Sequence, residues 1–396
     1  MRVAAARPIS SPDPEAVVGQ VLDHRLLSAH TRPVAVALSG GGDSLALLLM
    51  ADAWAKRAGR NLLVLTVDHR LAPASGGWTA ACAATAARLG LAFRALTWEG
   101  PKPAAGLPAA ARMARHRLLA DAAREAGARV ILMGHTADDL AEAAHMRETG
   151  STTPSPREWG PSPVWPQGRG LFLLRPLLSV SRGDIRDWLS ARGETWIDDP
   201  ANADLNYARP RARRALANAP AAAAPAMDDL PADLARACGA DAEGALTLSR
   251  AALRDAAFDL SRKFVAIACL CAGGGARPPA RARVERLTAR LTGNESFVST
   301  LAGARITAGA ARVSFAREPG EAARGGLAPL RLAAGETGVW DGRFDVRADF
   351  AAEVRPGRHG APAAVGDDGE PVVVQAEYLG LARLVAACGG VDREPA

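Results

Sequence analysis

Six consecutive residues combine glycine, hydroxyl and carboxylate groups in an arrangement suited to binding phosphate. They are Ser39, Gly40, Gly41, Gly42, Asp43 and Ser44. An apolar run at 34–38 precedes them and an apolar helical pattern follows, which predicts a strand, a glycine turn and a helix. Free N–H groups and partial positive charge at a helix N-terminus favour phosphate. A tight turn without a ligand is the alternative interpretation. The spacing of the common P-loop and of the dinucleotide-binding loop is missing.

A second group of polar residues lies at 135–142 and contains His135, Asp138, Asp139 and Glu142. Adjacent carboxylates followed by Glu142 one helical turn later could bind Mg²⁺ or a substrate ammonium group. Acidic residues are also favoured in the first turn of a helix, so simple capping is the alternative. A phosphate-binding loop in the same sheet favours a role near ATP.

Arginine and histidine residues form three further candidate contacts. Arg112 and Arg115 share one face of a predicted helix and could neutralise phosphate, although helical arginines are often simply solvated. The cluster from Arg209 to Arg214 follows Tyr207, and this mixture is typical of RNA binding or of a charged helix face. His69, after an apolar strand, could contact the nucleotide or only shape the crevice.

The elements that must position these residues alternate between strand and helix along the first half of the chain. This order predicts a parallel sheet with helices on both faces, so ligands should bind at the carboxyl ends of the strands. The polar groups at 39–44, 68–69 and 135–139 follow such strands and should converge on one crevice. We expect Asp43 and Ser44 to cap a helix, and 149–170 to form a long ordered loop.

Composition limits the class of protein. The 396 residues carry a net charge of +6, and an excess of arginine over lysine is compatible with nucleic-acid binding or with a nucleotide-composition bias. Five scattered cysteines suit a reducing cytoplasm, and we expect Cys269 and Cys271 to be core thiols. The apolar stretches are too short to span a membrane. An Ala/Pro-rich segment at 219–226 predicts a domain boundary.

Across residues 33–215 the motifs occur in the order found in tRNA(Ile)-lysidine synthetases, which the sequence resembles. Besides the loop, they are Val67–Leu71, Ala111–Arg115, Gly134–Asp139 with Glu142, Leu174–Leu178, and Trp196–Asn202 with Asp204, Tyr207 and Arg209–Arg213. His116 stands where that family often has tyrosine.

The resemblance implies an α/β fold with a doubly wound parallel sheet of the PP-loop ATPase, adenine nucleotide alpha hydrolase-like type. A mainly helical region and a small C-terminal α+β region would follow. The implied boundaries are 1–218 for the catalytic domain, 219–300 for the helical domain with a possible tRNA contact, and 301–396 for the last region.

The resemblance also implies the reaction. ATP would adenylate the C2 oxygen of the wobble cytidine in a CAU anticodon of tRNA(Ile), and L-lysine would then displace AMP to leave lysidine. Ser39–Ser44, His69 and His135 would bind ATP, Asp43 and Asp138 would lie near Mg²⁺, and Asp138 and Glu142 would receive lysine. The implied catalytic residues are Asp43, Asp138, Arg112 and Arg209, and the implied tRNA-binding residues are Arg209, Arg211 and Arg213. A cytoplasmic ligase is expected, and a homodimer is left open.

Two other functions stay open on the sequence. A tRNA 2-thiocytidine synthetase shares the loop but needs paired cysteines, and Cys82 is the only cysteine before residue 238. A catalytically inactive tRNA-binding relative is the second alternative, against which the intact Asp43, Asp138 and Asp139 argue.

Overall fold

The computed structural model describes residues 13–151, 155–199, 204–217, 229–241, 243–320 and 327–396. The chain divides into two compact units, which are described separately below. Unit 1 comprises 1–227 together with 392–396, and unit 2 comprises 228–391. The predicted linker at 219–226 and Asn202 lie outside the described residues. The predicted boundaries at 218 and 300 stay predictions, and position 300 lies within a strand of unit 2.

Unit 1 is an α/β unit. Its described helices are α1 Pro14–Arg25, α2 Gly42–Ala58, α3 Ser75–Leu89, α4 Leu107–Glu125, α5 Ala137–Glu148, α6 Arg182–Ser190 and α7 Ala208–Leu216. Its described strands are β1 Val34–Ala37, β2 Leu62–Asp68, β3 Ala92–Thr97, β4 Val130–Leu132, β5 Trp159–Pro161 and β6 Phe172–Leu174. They form one sheet in the order β3-β2-β1-β4-β6-β5.

The predicted parallel sheet is confirmed. Strand β1 pairs in parallel with β2 and β4, and β4 pairs in parallel with β6. Val34, Ala35 and Val36 have no exposed surface, which explains why β1 is apolar on both faces. The sheet places the residues that follow β1, β2 and β4 at the same edge, as the sequence predicts.

One local prediction in unit 1 is wrong. The segment expected to be a loop at 149–170 contains β5, which pairs antiparallel with β6. The Trp159 ring stacks on Phe172 with ring centres 4.8 Å apart, and Trp159 lies opposite Leu174 in the register. A three-residue strand among prolines and glycines is stabilised by this packing and leaves no periodic pattern in the sequence.

Unit 2 combines helices with antiparallel sheets. Its described helices are α8 Ala232–Arg236, α9 Arg250–Asp255, α10 Phe258–Ala272, α11 Arg281–Thr292 and α12 Gly380–Ala387, with a short 3-10 helix at Arg358–Gly360. Its described strands are β7 Gly239–Ala240, β8 Leu246–Ser249, β9 Phe297–Leu301, β10 Ala304–Ala308, β11 Arg312–Arg317, β12 Leu330–Leu332, β13 Thr337–Trp340, β14 Phe344–Arg347, β15 Ala352–Pro356, β16 Pro362–Gly366, β17 Pro371–Val372 and β18 Gln375–Tyr378. Three sheets result, in the orders β7-β8-β11-β10-β9, β12-β15-β16-β17 and β13-β14-β18.

The core of unit 2 contains the thiols that were predicted to be buried. Cys269 and Cys271 are free and at most 1% exposed, in a cluster with Phe264 and Phe315. Burial raises the pKa of Cys271 to about 12, so it stays a thiol at neutral pH. None of the helices in the described part of the chain is both long and apolar enough to cross a bilayer.

Candidate active site

The glycine-rich loop connects β1 to α2 and is held by its own hydroxyl groups. The Oγ of Ser44 accepts a hydrogen bond from the amide of Ser39 (3.1 Å) and donates one to the carbonyl of Gly41 (2.9 Å). The hydroxyls of Ser39 and Ser44 are 3.0 Å apart. These contacts fix the curvature of the loop before any ligand binds.

The helix begins differently from the prediction. Gly41 is the N-cap residue of α2 and no side chain caps the helix, so the expectation that Asp43 and Ser44 are caps is wrong. Ser44 bonds within the loop instead, and Asp43 lies in the first helical turn. Because no side chain caps the N-terminus, its first amide groups stay available for an anion.

Close packing and a positive φ require glycine at position 40 of the loop. Gly40 has a φ of +84°, and a Cβ there would lie 2.5 Å from Cδ1 of Ile197, whose amide donates to the Gly40 carbonyl. A Cβ on Gly42 would lie 3.4 Å from the Trp196 ring. The motif around Trp196 therefore packs directly over the loop. Gly134, which follows β4, also packs against the loop: a Cβ there would lie 3.0 Å from the amide nitrogen of Ser44.

Four carboxylates at the N-termini of α2 and α5 form what we call the acidic cluster: Asp43, Asp138, Asp139 and Glu142. Asp139 is part of a capping box, because its Oδ2 accepts the amide of Thr136 at 2.9 Å. The capping alternative is therefore correct for Asp139. Asp138 instead accepts the backbone amide of Arg182 at 2.7 Å, so it is held by α6.

Arg182, which the sequence reasoning missed, lies at the centre of the acidic cluster. Its Nε is 3.2 Å from Oδ2 of Asp43, and one terminal nitrogen is 3.2 Å from Oε1 of Glu142. Its ion pairs with Asp138 and Asp139 are longer, at 3.8 and 3.9 Å, and the side chain is 13% exposed. Arg182 lies four residues after the Leu174–Leu178 motif, at the first residue of α6, and that position gave no signal of its acidic partners.

Two of the three predicted tRNA-binding arginines also contact the acidic cluster. Arg213 Nε is 2.9 Å from Oε1 of Glu142, and a terminal nitrogen of Arg209 is 3.4 Å from Oδ1 of Asp139. Arg211 points elsewhere and donates to the carbonyls at 205 and 206. The structure thus brings Arg209 and Arg213 to the predicted site and leaves Arg211 outside it.

Burial and ion pairing oppose each other in this cluster. Burial raises the pKa of Asp43 above its usual value, and the guanidinium of Arg182 only partly offsets this effect. Burial would lower the pKa of Arg182, but the carboxylates of Asp43 and Glu142 raise it above its ordinary value. Arg182 is therefore permanently charged.

A basic cluster of Arg112, Arg115 and Arg175 lies beside the strand ends. Burial and mutual repulsion lower the pKa of Arg115 and of Arg175 to about 10. The buried Nε of Arg115 has no hydrogen-bond partner. Buried cations that repel one another and have an unpaired donor are suited to binding an anion.

Three histidines surround the basic cluster, and burial lowers the pKa of each. Nδ1 of His135 accepts from Nε of Arg175 at 3.1 Å, so its Nε2 carries the proton. His69 packs edge-on against Trp98, its Nδ1 has no partner, and Arg115 lowers its pKa further. Burial and the neighbouring arginines lower the pKa of His116 to about 2. These uncharged rings add no positive charge to the site.

The sequence of the chain is similar to those of a known protein family. The model of a family described as PP-loop domain matches residues 14–220. A tRNA(Ile)-lysidine synthase from Caulobacter vibrioides is 53% identical over 335 residues, covering 85% of this chain and 79% of that protein. The chain belongs to the tRNA(Ile)-lysidine synthase family. A second member, from Rhizobium meliloti, is 35% identical over 80% of this chain and 73% of its own length.

Among solved structures, a U34-tRNA thiolase from Methanococcus maripaludis with its [4Fe-4S] cluster is similar to this chain. It is 16% identical with a TM-score of 0.41, over 52% of this chain and 70% of its own.

The loop, the strand ends and the N-terminus of α5 meet at one edge of the sheet in this chain. Within the described ranges, no group of three or more histidine, cysteine or acidic side chains is arranged to hold a metal ion.

Proposed function

We propose that this protein is an ATP-dependent ligase that converts the wobble cytidine of tRNA(Ile) with a CAU anticodon to lysidine. The observation that carries the proposal is the proximity of an anion-binding loop, a basic cluster and an acidic cluster at one sheet edge. A reaction between a nucleotide, an RNA and an amino acid needs sites for both phosphate and ammonium. The loop and the basic cluster would bind phosphate, and the acidic cluster would bind ammonium.

ATP would bind with its terminal phosphates at Ser39–Ser44. The uncapped N-terminus of α2 supports this placement, because its amide groups and dipole favour phosphate. Holding the β- and γ-phosphates leaves the α-phosphorus open to attack by the cytidine C2 oxygen, with pyrophosphate as the leaving group. His69 and His135 would line the nucleotide site as neutral rings, and Arg112 would face the α-phosphate as the charge develops.

Mg²⁺ fits the site if the substrate supplies most of its ligands. Mg²⁺ usually binds one or two carboxylates together with phosphate oxygens and water. Asp43 and Asp138 would be the two carboxylates, since both form ion pairs with the same guanidinium, that of Arg182. Bound there, Mg²⁺ would neutralise phosphate charge on the leaving group.

Lysine would bind through its ammonium groups to Asp138 and Glu142. Glu142 is 1% exposed, and its Oε2 is buried without a hydrogen-bond partner. A buried carboxylate oxygen in this state is costly unless a ligand donates to it. One ammonium group would lose a proton, and the resulting amine would attack C2 of the adenylated cytidine. The C2–N bond would form and the C2–O bond would break, so that AMP leaves with the former C2 oxygen and the nitrogen loses a second proton.

The tRNA would contact Arg209, Arg211 and Arg213. Arg211 and the exposed Arg214 face away from the acidic cluster, so α7 presents positive charge to the outside. We further propose that the protein works in the cytoplasm. A homodimer stays a prediction.

A sulfur-transfer reaction is less well supported. Cys82 is 2% exposed, and burial raises its pKa, so its thiol is neither accessible nor ionised. The remaining described cysteines lie in unit 2, each of them buried.

The proposal is tested by following both leaving groups. Purified protein is incubated with ATP, Mg²⁺ and a transcript of tRNA(Ile) with a CAU anticodon, with and without L-lysine. We expect pyrophosphate release that depends on the tRNA, and AMP release that depends on lysine in addition. Formation of ADP and inorganic phosphate instead would contradict the proposal.

A further inference from the structure

Among the described residues, Arg182 alone forms ion pairs with all four carboxylates of the acidic cluster, and the proposed reaction gives it no role. Its guanidinium sits between Asp43 at 3.2 Å and Glu142 at 3.2 Å, with Asp138 and Asp139 within 4 Å. The side chain places a cation at the end of an apolar stem inside a group of acids. The side chain of the substrate lysine likewise carries a positive charge at the end of a flexible apolar chain.

We propose that Arg182 fills the cation-binding position of the acidic cluster in the ligand-free protein, and that a substrate cation binds only after its guanidinium moves away. This inference rests on the proposed function, because it assigns the cation as the lysine ammonium group or a divalent ion bound with ATP. It makes Arg182 an internal competitor of the substrate.

The charge balance supports the proposal. The acidic cluster carries four carboxylates, and Arg182, Arg209 and Arg213 supply three positive charges. Adding another cation to a nearly neutral cluster gains little Coulomb energy. Removing Arg182 leaves two unbalanced negative charges in a poorly hydrated place, where an external cation is attracted strongly.

Glu142 supplies a second observation. Its Oε1 is shared between Arg182 and Arg213, whereas its buried Oε2 has no hydrogen-bond partner. Arg209 Nε lies 3.9 Å from this oxygen, which is too far for a hydrogen bond, so the arginines present leave its hydrogen-bonding capacity unused. An ammonium group with three donors in Arg182's place would reach both oxygens.

A destination for the displaced guanidinium is close by. Arg182 Nε contacts Asp43, which lies in the first turn of α2 beside the phosphate loop. Guanidinium groups bind phosphate with two parallel hydrogen bonds. When ATP binds, its phosphates therefore give the guanidinium of Arg182 a second possible ion-pair partner. The carboxylates of the acidic cluster can then bind the ammonium group of lysine.

The test uses Arg182→Gln in the full-length protein, without tRNA. The backbone amide of residue 182 still donates to Asp138 in this variant, so only the guanidinium is removed. We expect the dissociation constant for L-lysine, measured by calorimetry, to fall at least about tenfold relative to the unmodified protein. The turnover number with tRNA should fall at the same time, a combination that a merely structural role of Arg182 would not produce.

A parallel titration with Mn²⁺, followed by electron paramagnetic resonance, distinguishes the two cations. Tighter binding of lysine identifies the ammonium group, and tighter binding of Mn²⁺ alone identifies a divalent ion; either result supports the proposal. Unchanged or weaker binding of both would overturn it. Because neither titration involves tRNA or turnover, the result is independent of whether lysidine is made.

Two further variants control for folding and for charge. Arg88→Gln removes an exposed arginine paired with Glu194 and should leave both affinities unchanged. Arg182→Lys keeps the charge but cannot contact all four carboxylates, so its affinities should lie between those of the other proteins. If Arg182→Gln shows no cooperative thermal transition, it is not folded and the test rests on Arg182→Lys. Affinities of Arg182→Lys for L-lysine and Mn²⁺ equal to those of the unmodified protein would then contradict the proposal.

Discussion

Asp43 is the residue on which the proposed nucleotide chemistry depends most. It is partly buried in the first turn of α2, and Arg182 stabilises its charged form against the effect of burial. We predict that Asp43→Ala lowers tRNA-dependent pyrophosphate release at least about a hundredfold, because charge stabilisation near the leaving group is lost. Binding of the tRNA transcript, measured by filter retention, should change little.

Asp187→Asn is the matched control, since it removes an exposed acid from α6. Loss of both pyrophosphate release and RNA binding in Asp43→Ala would show that Asp43 supports the fold rather than the chemistry.

His116 makes the stability of unit 1 depend on pH. The folded protein keeps this ring neutral because burial and nearby arginines lower its pKa to about 2, from 6.5 in a free chain. The stability contribution is complete above the unfolded pKa and is lost as the pH falls from there towards 2. By pH 5 the loss should be about 2 kcal/mol for this one histidine.

We predict that His116→Tyr, which restores the residue frequent in the family, reduces the fall in melting temperature between pH 7.5 and 5. His24→Asn changes an exposed histidine of α1 and should leave that fall as it is. An identical pH dependence in His116→Tyr and the unmodified protein would contradict this account.

The sequence predicted which residues could belong to the site better than it predicted which residues contact one another. Asp138 and Glu142 could be predicted because two carboxylates one turn apart share a helix face. Arg182 could not, since its four partners come from α2 and α5 and are brought together only by the sheet. His116 gave no pattern of its own, and its neutral state follows from burial.

The phosphate loop keeps its shape through contact with the segment around Ile197. A Cβ at residue 40 meets Cδ1 of Ile197 at 2.5 Å, and the φ of +84° is strained for other residues. We predict that Gly40→Ala costs about 1–3 kcal/mol of stability and weakens ATP binding. Adding Ile197→Val, which removes Cδ1, should restore part of the stability and part of the affinity for ATP. If the double variant is no more stable and binds ATP no more tightly than Gly40→Ala, the loss does not come from packing against Ile197.

Helix α7 carries the arginines proposed to bind RNA. We predict that replacing Arg209 and Arg213 with glutamine weakens tRNA binding and flattens the dependence of log Kd on log salt by about 0.7–1 per arginine. The change reports the loss of phosphate contacts. Arg94→Gln, an exposed arginine of β3 paired with Glu125, is the control. An unchanged salt dependence would show that both arginines only balance the acidic cluster.

The alternation of strands and helices in unit 1 could be predicted because its strands are apolar and its helices are long. Strand β5 could not, since it is short and depends on Trp159 packing against Phe172. The start of α2 was also misplaced, because Ser44 bonds within the loop instead of capping the helix.

At the scale of the whole molecule, the chain returns to unit 1 after unit 2. Residues 392–396 belong to unit 1, and Glu394 forms an ion pair with Arg60 in which both side chains are at most 1% exposed. Glu394 also accepts the amide of Leu27. No motif in the sequence indicated this contact, because its two residues are 334 positions apart.

We predict that Glu394→Ala destabilises unit 1 by about 3–5 kcal/mol, because it leaves the charge of Arg60 buried and unpaired. Hydrogen exchange of α1 and α2, followed by mass spectrometry, would measure the change locally. Arg393→Ala, at an exposed neighbouring position, should have no effect. Equal protection in the two variants would show that the segment contributes nothing to unit 1.

We propose that the glycine-rich loop, the basic cluster and the acidic cluster at the sheet edge together join lysine to one cytidine of a tRNA. The most direct measurement is mass spectrometry of a nuclease digest of the tRNA(Ile) transcript after incubation with the protein, ATP, Mg²⁺ and lysine. We predict an anticodon fragment heavier by one lysine less one water, formed only when ATP is present. An unmodified anticodon fragment, with pyrophosphate still released, would contradict the claim.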